Sequence, residues 1–95
     1  MLLDMKKPKV LENRKFDKGS FRVVLKFEEE TVSGYVDDDG EWYEIYRVDS
    51  RGKDVDWGDI KYSEKWSKFR MKYLPTFEKM ESEYEIGFHS VDMDE

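Results

Sequence analysis

From Ser20 to Glu28 apolar and polar side chains alternate, with Phe21, Val23, Leu25 and Phe27 on one side and Arg22, Lys26 and Glu28 on the other. A period of two is the signature of a half-buried strand. Glu29-Glu30 turn the chain, and Thr31 to Val36 reads as a second strand in which Gly34 marks a bulge. Asp37-Asp38-Asp39-Gly40 carries tight-hairpin chemistry, because Asp and Gly both tolerate positive φ. Glu41 to Asp49 is the third strand: Trp42, Tyr46 and Val48 alternate with Tyr43, Ile45 and Arg47, as in a strand covered on both sides. After a turn at Ser50-Arg51-Gly52-Lys53, Asp54 to Trp57 reads as a short edge strand, its aspartates discouraging pairing with a second molecule.

From Ser63 the period changes. Trp66, Phe69, Tyr73, Phe77, Met80 and Tyr84 follow one another at intervals of 3, 4, 4, 3 and 4 residues, a mean of 3.6. That is one face of an α-helix over most of residues 63–85, with Ser63 as N-cap and Gly87 as its stop. The apolar face keeps phase across Pro75, which predicts one kinked helix and not two. Residues 1–18 are basic, include Pro8 and show no sustained period, so they read as an irregular arm; residues 88–95 read as an acidic tail. The expected fold is α+β: one domain over residues 1–95, an antiparallel β-meander of three to four strands with a long, Pro-kinked C-terminal helix packed on one face.

Composition narrows the chemistry. The chain has 95 residues, 42% of them charged and 16% aromatic, so large rings must supply much of a small core. With no cysteine there is no disulfide, thiolate metal site or thiol nucleophile. No apolar run reaches the length of a membrane span and the N-terminus is too short and polar for a signal peptide, so no membrane association and a cytoplasmic location are expected. Asn13 is the single amide residue among abundant charges, a pattern that thermophilic proteins share.

The net charge of −6 is segmented: residues 6–26 carry +6, residues 28–59 carry −9, residues 61–79 carry +4 and residues 81–95 carry −6. Opposite blocks lying against each other explain this most simply. The functional alternative is an acidic middle that recognises a basic partner, or a basic helix that meets a phosphate backbone. Lys61, Lys65, Lys68, Lys72 and Lys79 form that basic row, whose stems also suit the rim of a core.

The candidates for chemistry are few. Asp49, Asp59 and Lys61 offer the two acids and one lysine of a metal-dependent nuclease site. Arg47 and Arg51 beside Asp49 can bind a phosphate or carboxylate, or form a local salt bridge. The aspartates at 37–39, 49, 54, 56 and 59 lack the D-x-D-x-D-G spacing of a calcium loop, so turn chemistry and a solvated edge account for them, and neither a metal site nor a cofactor is expected. His89 is the single histidine and reads as a surface or packing residue.

The run Gly40-Glu41-Trp42-Tyr43-Glu44-Ile45-Tyr46-Arg47-Val48-Asp49, followed by Ser50-Arg51-Gly52, resembles the core of small prokaryotic proteins. It is distantly similar to the TumE-like members of toxin–antitoxin pairs, in which a tyrosine-arginine-x-aspartate strand precedes a histidine-bearing turn. Arg47 and Asp49 match that pattern; no histidine follows Asp49 before His89, so no catalytic role carries over. The leading expectation is a non-enzymatic protein-interaction domain with a protein partner or a second copy of itself. The alternatives are a small metal-dependent nuclease or toxin–antitoxin component, and an acidic nucleic-acid mimic acting through residues 28–59.

Overall fold

The computed structural model describes residues 7–16, 19–55 and 64–84. Four strands, β1 (Lys9–Lys15), β2 (Phe21–Lys26), β3 (Thr31–Val36) and β4 (Trp42–Val48), form one antiparallel sheet in the order β1-β2-β3-β4, and α1 (Glu64–Tyr84) lies across one face of it. Each strand therefore pairs with its neighbour in sequence. The α+β meander and the C-terminal helix expected from periodicity are both present. No helix among the described residues is long and apolar enough to cross a membrane.

Three turns share one construction, from which the β2–β3 turn, closed by Phe27 N–H to Glu30 O (2.9 Å), differs. Asp37 N–H donates to Glu41 O (3.0 Å) and Gly40 N–H to Asp37 O (3.0 Å), with Gly40 at φ +86°. Asp49, Gly52 and Lys53 repeat this, with Asp49 N–H to Lys53 O at 2.8 Å, Gly52 N–H to Asp49 O at 3.0 Å and Gly52 at φ +82°. The same two backbone bonds join Phe16, Gly19 and Ser20. This is the three-residue hairpin, a type I turn followed by one left-handed residue, where glycine avoids the clash that a Cβ meets. In two of the turns the leading aspartate also accepts from the backbone. Asp37 Oδ1 takes Asp39 N–H (3.1 Å) and Glu41 N–H (2.9 Å), and Asp49 Oδ1 takes Arg51 N–H (2.9 Å) and Lys53 N–H (3.0 Å).

Between sheet and helix, Phe21, Val23 and Leu25 of β2, Val32 and Val36 of β3, and Trp42 and Ile45 of β4 meet Phe69, Tyr73, Phe77 and Met80. The four helix residues are those of the predicted stripe, and each buried side chain contributes on the order of 1.5–3 kcal/mol. The rings meet at steep angles: Trp42–Phe77 at 4.9 Å and 63°, Phe27–Tyr73 at 4.6 Å and 53°, Phe69–Tyr73 at 5.1 Å and 60°. Such tilted pairs suit the aromatic quadrupole. Tyr73 is buried, yet its hydroxyl reaches Glu29 Oε2 (2.7 Å) and Glu30 Oε2 at the β2–β3 turn. Arg70 Nη2 donates to Trp42 O (2.6 Å), and Trp42 Nε1 to Glu81 Oε1 (3.1 Å), which pin α1 along β4. The helix runs through Pro75 as one element, with Pro75 exposed on its outer side.

Three expectations change. The arm over residues 1–18 contains a strand, β1, the exposed edge of the sheet, with six of its seven residues exposed. A strand with so little buried surface has no apolar alternation to reveal it. Of the segment Asp54 to Trp57, Asp54 makes a bridge to Val48, and Asp56 and Trp57 lie outside the described residues. Gly34 is not a bulge, pairing in register with both Val23 and Ile45. A Cβ there would stand 2.6 Å from Phe77 Cε2 and 3.0 Å from Trp42 Cζ3, so glycine is required because a ring lies on the backbone. The bulge falls instead in β4, where Tyr35 pairs with Glu44 and Val36 with Trp42, leaving Tyr43 as the extra residue. It turns Trp42 to the helix side with Ile45 and separates it from Tyr46, against the simple alternation.

Gly34→Ala is expected to destabilise the fold by about 1–3 kcal/mol through overpacking against Phe77. Combining it with Phe77→Leu should recover part of that loss, measured as denaturant midpoints of the single and double variants. A loss that simply adds would show that the ring is not the cause.

Candidate binding cleft on the far face of the sheet

The side chains that alternate with the core point away from α1. From β2 comes Arg22, from β3 Ser33 and Tyr35, from β4 Glu44 and Tyr46, while β1 adds Glu12 and the residue after it, Phe16. Arg22 is 8% exposed and Ser33 fully buried, so this face holds a charge and a hydroxyl out of water. Both are satisfied by Asp54, carried in from beyond β4 by its bridge to Val48 and by the Val55 N–H bond to Arg47 O (2.7 Å).

Asp54 Oδ1 accepts from Arg22 Nη2 (2.7 Å) and Ser33 Oγ (2.8 Å), and Oδ2 accepts from the Tyr35 hydroxyl. Arg22 then donates from Nε to the Tyr35 oxygen (3.1 Å) and from Nη1 to Glu12 Oε1 (3.0 Å). All three nitrogens of one guanidinium are used, which fixes its plane and everything bonded to it. Burial works against the charge on Arg22, but its bonds to Asp54 and Glu12 outweigh this and raise its pKa. Burial likewise pushes Asp54 up, and the hydrogen bonds from Arg22, Tyr35 and Ser33 overcome it, holding the carboxyl below its ordinary value. The Tyr35 phenol moves the other way, pushed up to about 12 by burial and by Asp54.

Over this network opens a cleft of about 400 Å³, walled by Tyr35, Tyr43 and Tyr46, with Phe16 at one end and Glu44 and Asp54 as its acids. Tyr35 stands 6.2 Å from Tyr43 at 48° and 5.9 Å from Tyr46 at 82°, so the tyrosines form walls at an angle to one another, while Phe16 stacks on Tyr35 at 6.0 Å and 16°. The Tyr46 hydroxyl donates to Glu44 Oε1 (2.7 Å), and burial together with Glu44 raises its pKa. Tyr43 is 43% exposed at the rim, where the bulge places it.

The residues singled out by sequence lie elsewhere. Asp49 organises its turn, and Asp59 and Lys61 fall outside the described residues, so the three are not seen together. Arg47 pairs with Glu30 (2.8 Å) and lies 5.1 Å over Phe69 on the helix side; Arg51 is exposed at the turn. On α1, Lys65 is exposed, Lys68 pairs with Glu64 (3.4 Å), and Lys72 pairs with Glu29 (3.6 Å) and covers the Tyr73 ring (5.1 Å). Carboxylates of Asp37, Asp38 and Asp39 come within 4.8 Å of one another at the hairpin tip, but Asp37 Oδ1 already serves the turn. The cleft tyrosines were not picked out from the sequence. Their signal was there: in Tyr35 and Tyr46, rings occupy strand positions facing away from the core.

Asp54→Asn should cost about 2–3 kcal/mol at neutral pH, since it leaves a nearly buried guanidinium poorly compensated. Asp54 has a lowered folded pKa, so its stabilisation holds above the ordinary aspartate value of 3.8 and is lost as pH falls through the folded value. The gap in melting temperature between wild type and D54N should therefore narrow in acid. Tyr35 has a raised folded pKa, so its contribution is intact below 10 and lost as pH rises from 10 through about 12. Tyr35→Phe should flatten the alkaline decline of stability in that window, and a slope unchanged by the substitution would exclude Tyr35 as its source.

Compared with the known protein families, the curated proteins and the solved structures, the chain matches none, and the reading of the cleft rests on its own residues.

Proposed function

We propose that this chain is a non-enzymatic protein-interaction domain and that the aromatic cleft on the far face of the sheet is its contact surface. The cleft itself carries the reading: three tyrosine walls, one of them with an exposed rim, held by a hydrogen-bond network that involves both strands and loop. Tyrosine contributes large contact area at small entropic cost and recurs at the energetic centres of interfaces. The titratable groups of the network favour recognition over proton transfer. Asp54 is held below the carboxylate range and Tyr35 and Tyr46 are held above the ordinary phenol value, so each is moved further from neutrality. Ser33 is spent as a donor to Asp54.

The sheet edge is the weaker surface for self-association. β1 exposes Val10 and Leu11, but a bulge at Leu11 interrupts its register, and Lys9, Arg14 and Lys15 are exposed along it. Those devices discourage edge pairing.

A protein captured by the wild-type chain should be lost with Tyr43→Ala and retained with Met71→Asp, which alters the outer side of α1. Both variants should melt within a few degrees of wild type, because Tyr43 is 43% and Met71 71% exposed. Capture that survives Tyr43→Ala and fails with Met71→Asp would move the interface to the helix and sink this reading.

A further inference from the structure

We infer that the cleft is an aromatic cage for an ammonium ion, and that its occupant is a lysine side chain of the partner protein. This rests on the interaction reading above and deepens it by naming the chemistry recognised. A cation is drawn to the face of an aromatic ring when it lies within about 6 Å of the centroid, and several rings turned toward one point add their fields. Tyr35, with Tyr43 on one side and Tyr46 on the other, has its neighbours' centroids at 6.2 and 5.9 Å, close enough for one small cation to touch more than one ring.

Ring orientation selects the kind of cation. A guanidinium is planar and prefers to lie parallel to a ring, or between two parallel ones. Here Tyr43 and Tyr46 meet Tyr35 at 48° and 82°, and Phe16, nearly parallel to Tyr35 at 16°, stacks on it at 6.0 Å, too close to admit a guanidinium plane between them. The open corner suits a compact, nearly spherical ammonium.

Charge points the same way. Among the described residues, those lining the cleft include two carboxylates, Glu44 and Asp54, and no lysine or arginine. Arg22 pairs with Asp54 (2.7 Å) and Arg14 with Glu12 (3.2 Å), so that network is balanced and Glu44 supplies the net negative charge of the cleft. Tyr35, Tyr43, Glu44, Tyr46 and Asp54 all come from the stretch 28–59, whose charge is −9, which draws a basic partner toward this face from a distance. The occupant is a side chain on a polypeptide because the cleft is an open trough on a sheet face and not a closed cavity. A lysine stem can lie along Tyr43 while its ammonium reaches Tyr35 and Glu44.

The test uses the full chain and one short peptide in three forms, with its central lysine free, Nζ-trimethylated or Nζ-acetylated, titrated by calorimetry. Binding is expected for the free and trimethylated forms and is expected to weaken at least tenfold on acetylation, which removes the charge and keeps the stem. Tyr43→Ala should weaken binding about tenfold, Tyr43→Phe should restore it because the ring face remains, and Glu44→Gln should weaken the charged forms several-fold. Equal binding of the acetylated peptide, or none by any form at millimolar concentration, overturns the cage. If the peptides fail while a native partner is still lost with Tyr43→Ala, the interaction domain stands and the lysine assignment falls. If Tyr43→Ala affects neither, both fall.

Discussion

The Phe77 ring rests directly on the backbone of Gly34, and the fold is arranged around that contact. A helix seated on a sheet is normally held off by the side chains between them. Here the central position of β3 has no side chain, and a fully buried ring fills the space, flanked by Trp42. Seating the ring this low lets the rest of the stripe, Phe69, Tyr73 and Met80, reach β2 and β4 without a gap. The bulge at Tyr43 belongs to the same arrangement, since it turns Trp42 inward to meet Phe77. One extra residue in β4 thus completes the core on one face and supplies a wall of the cleft on the other.

The two faces are held by different physics. The helix side depends on apolar area and ring geometry, which tolerate neighbours of similar volume. The far side depends on a guanidinium and a carboxylate whose bonds reach three strands and the chain beyond β4, where a missing partner is costly. The segmentation of charge along the chain fits this. Arg22 of the first basic block meets Asp54 of the acidic one, and Lys72 of the second basic block meets Glu29. Other pairs close within one block, as Arg14 does with Glu12, Arg47 with Glu30 and Lys68 with Glu64.

Legibility followed the same division. The strands of β2, β3 and β4 and the stripe on α1 were visible because burial of one side leaves a period. The Asp-x-x-Gly turns were visible because their chemistry is local. β1 was not, being an edge strand whose residues are mostly charged and wet. Gly34 and Trp42 were placed wrongly for a shared reason: a glycine kept clear for a ring looks like a glycine at a bulge, and a bulge without glycine leaves no mark. The Arg22–Asp54 network joins residues 32 positions apart through polar groups that follow no period, so no pattern announced it. The charged residues that did attract notice, Arg47, Lys68 and Lys72, proved to be partners in ion pairs.

The repeated turn has a kinetic side. Because each of its strands pairs with the next in sequence, the sheet can assemble by successive short closures, each with a small loop entropy. Folding of such a meander is governed by local contacts and belongs to the faster part of the range for sheet proteins. The long closures come from α1 and from Asp54, whose partners lie far back along the chain. Hairpins that zip first would offer both faces to solvent until the helix docks on one and Asp54 locks the other. In that order of events the cleft acquires its shape only after the strands have paired.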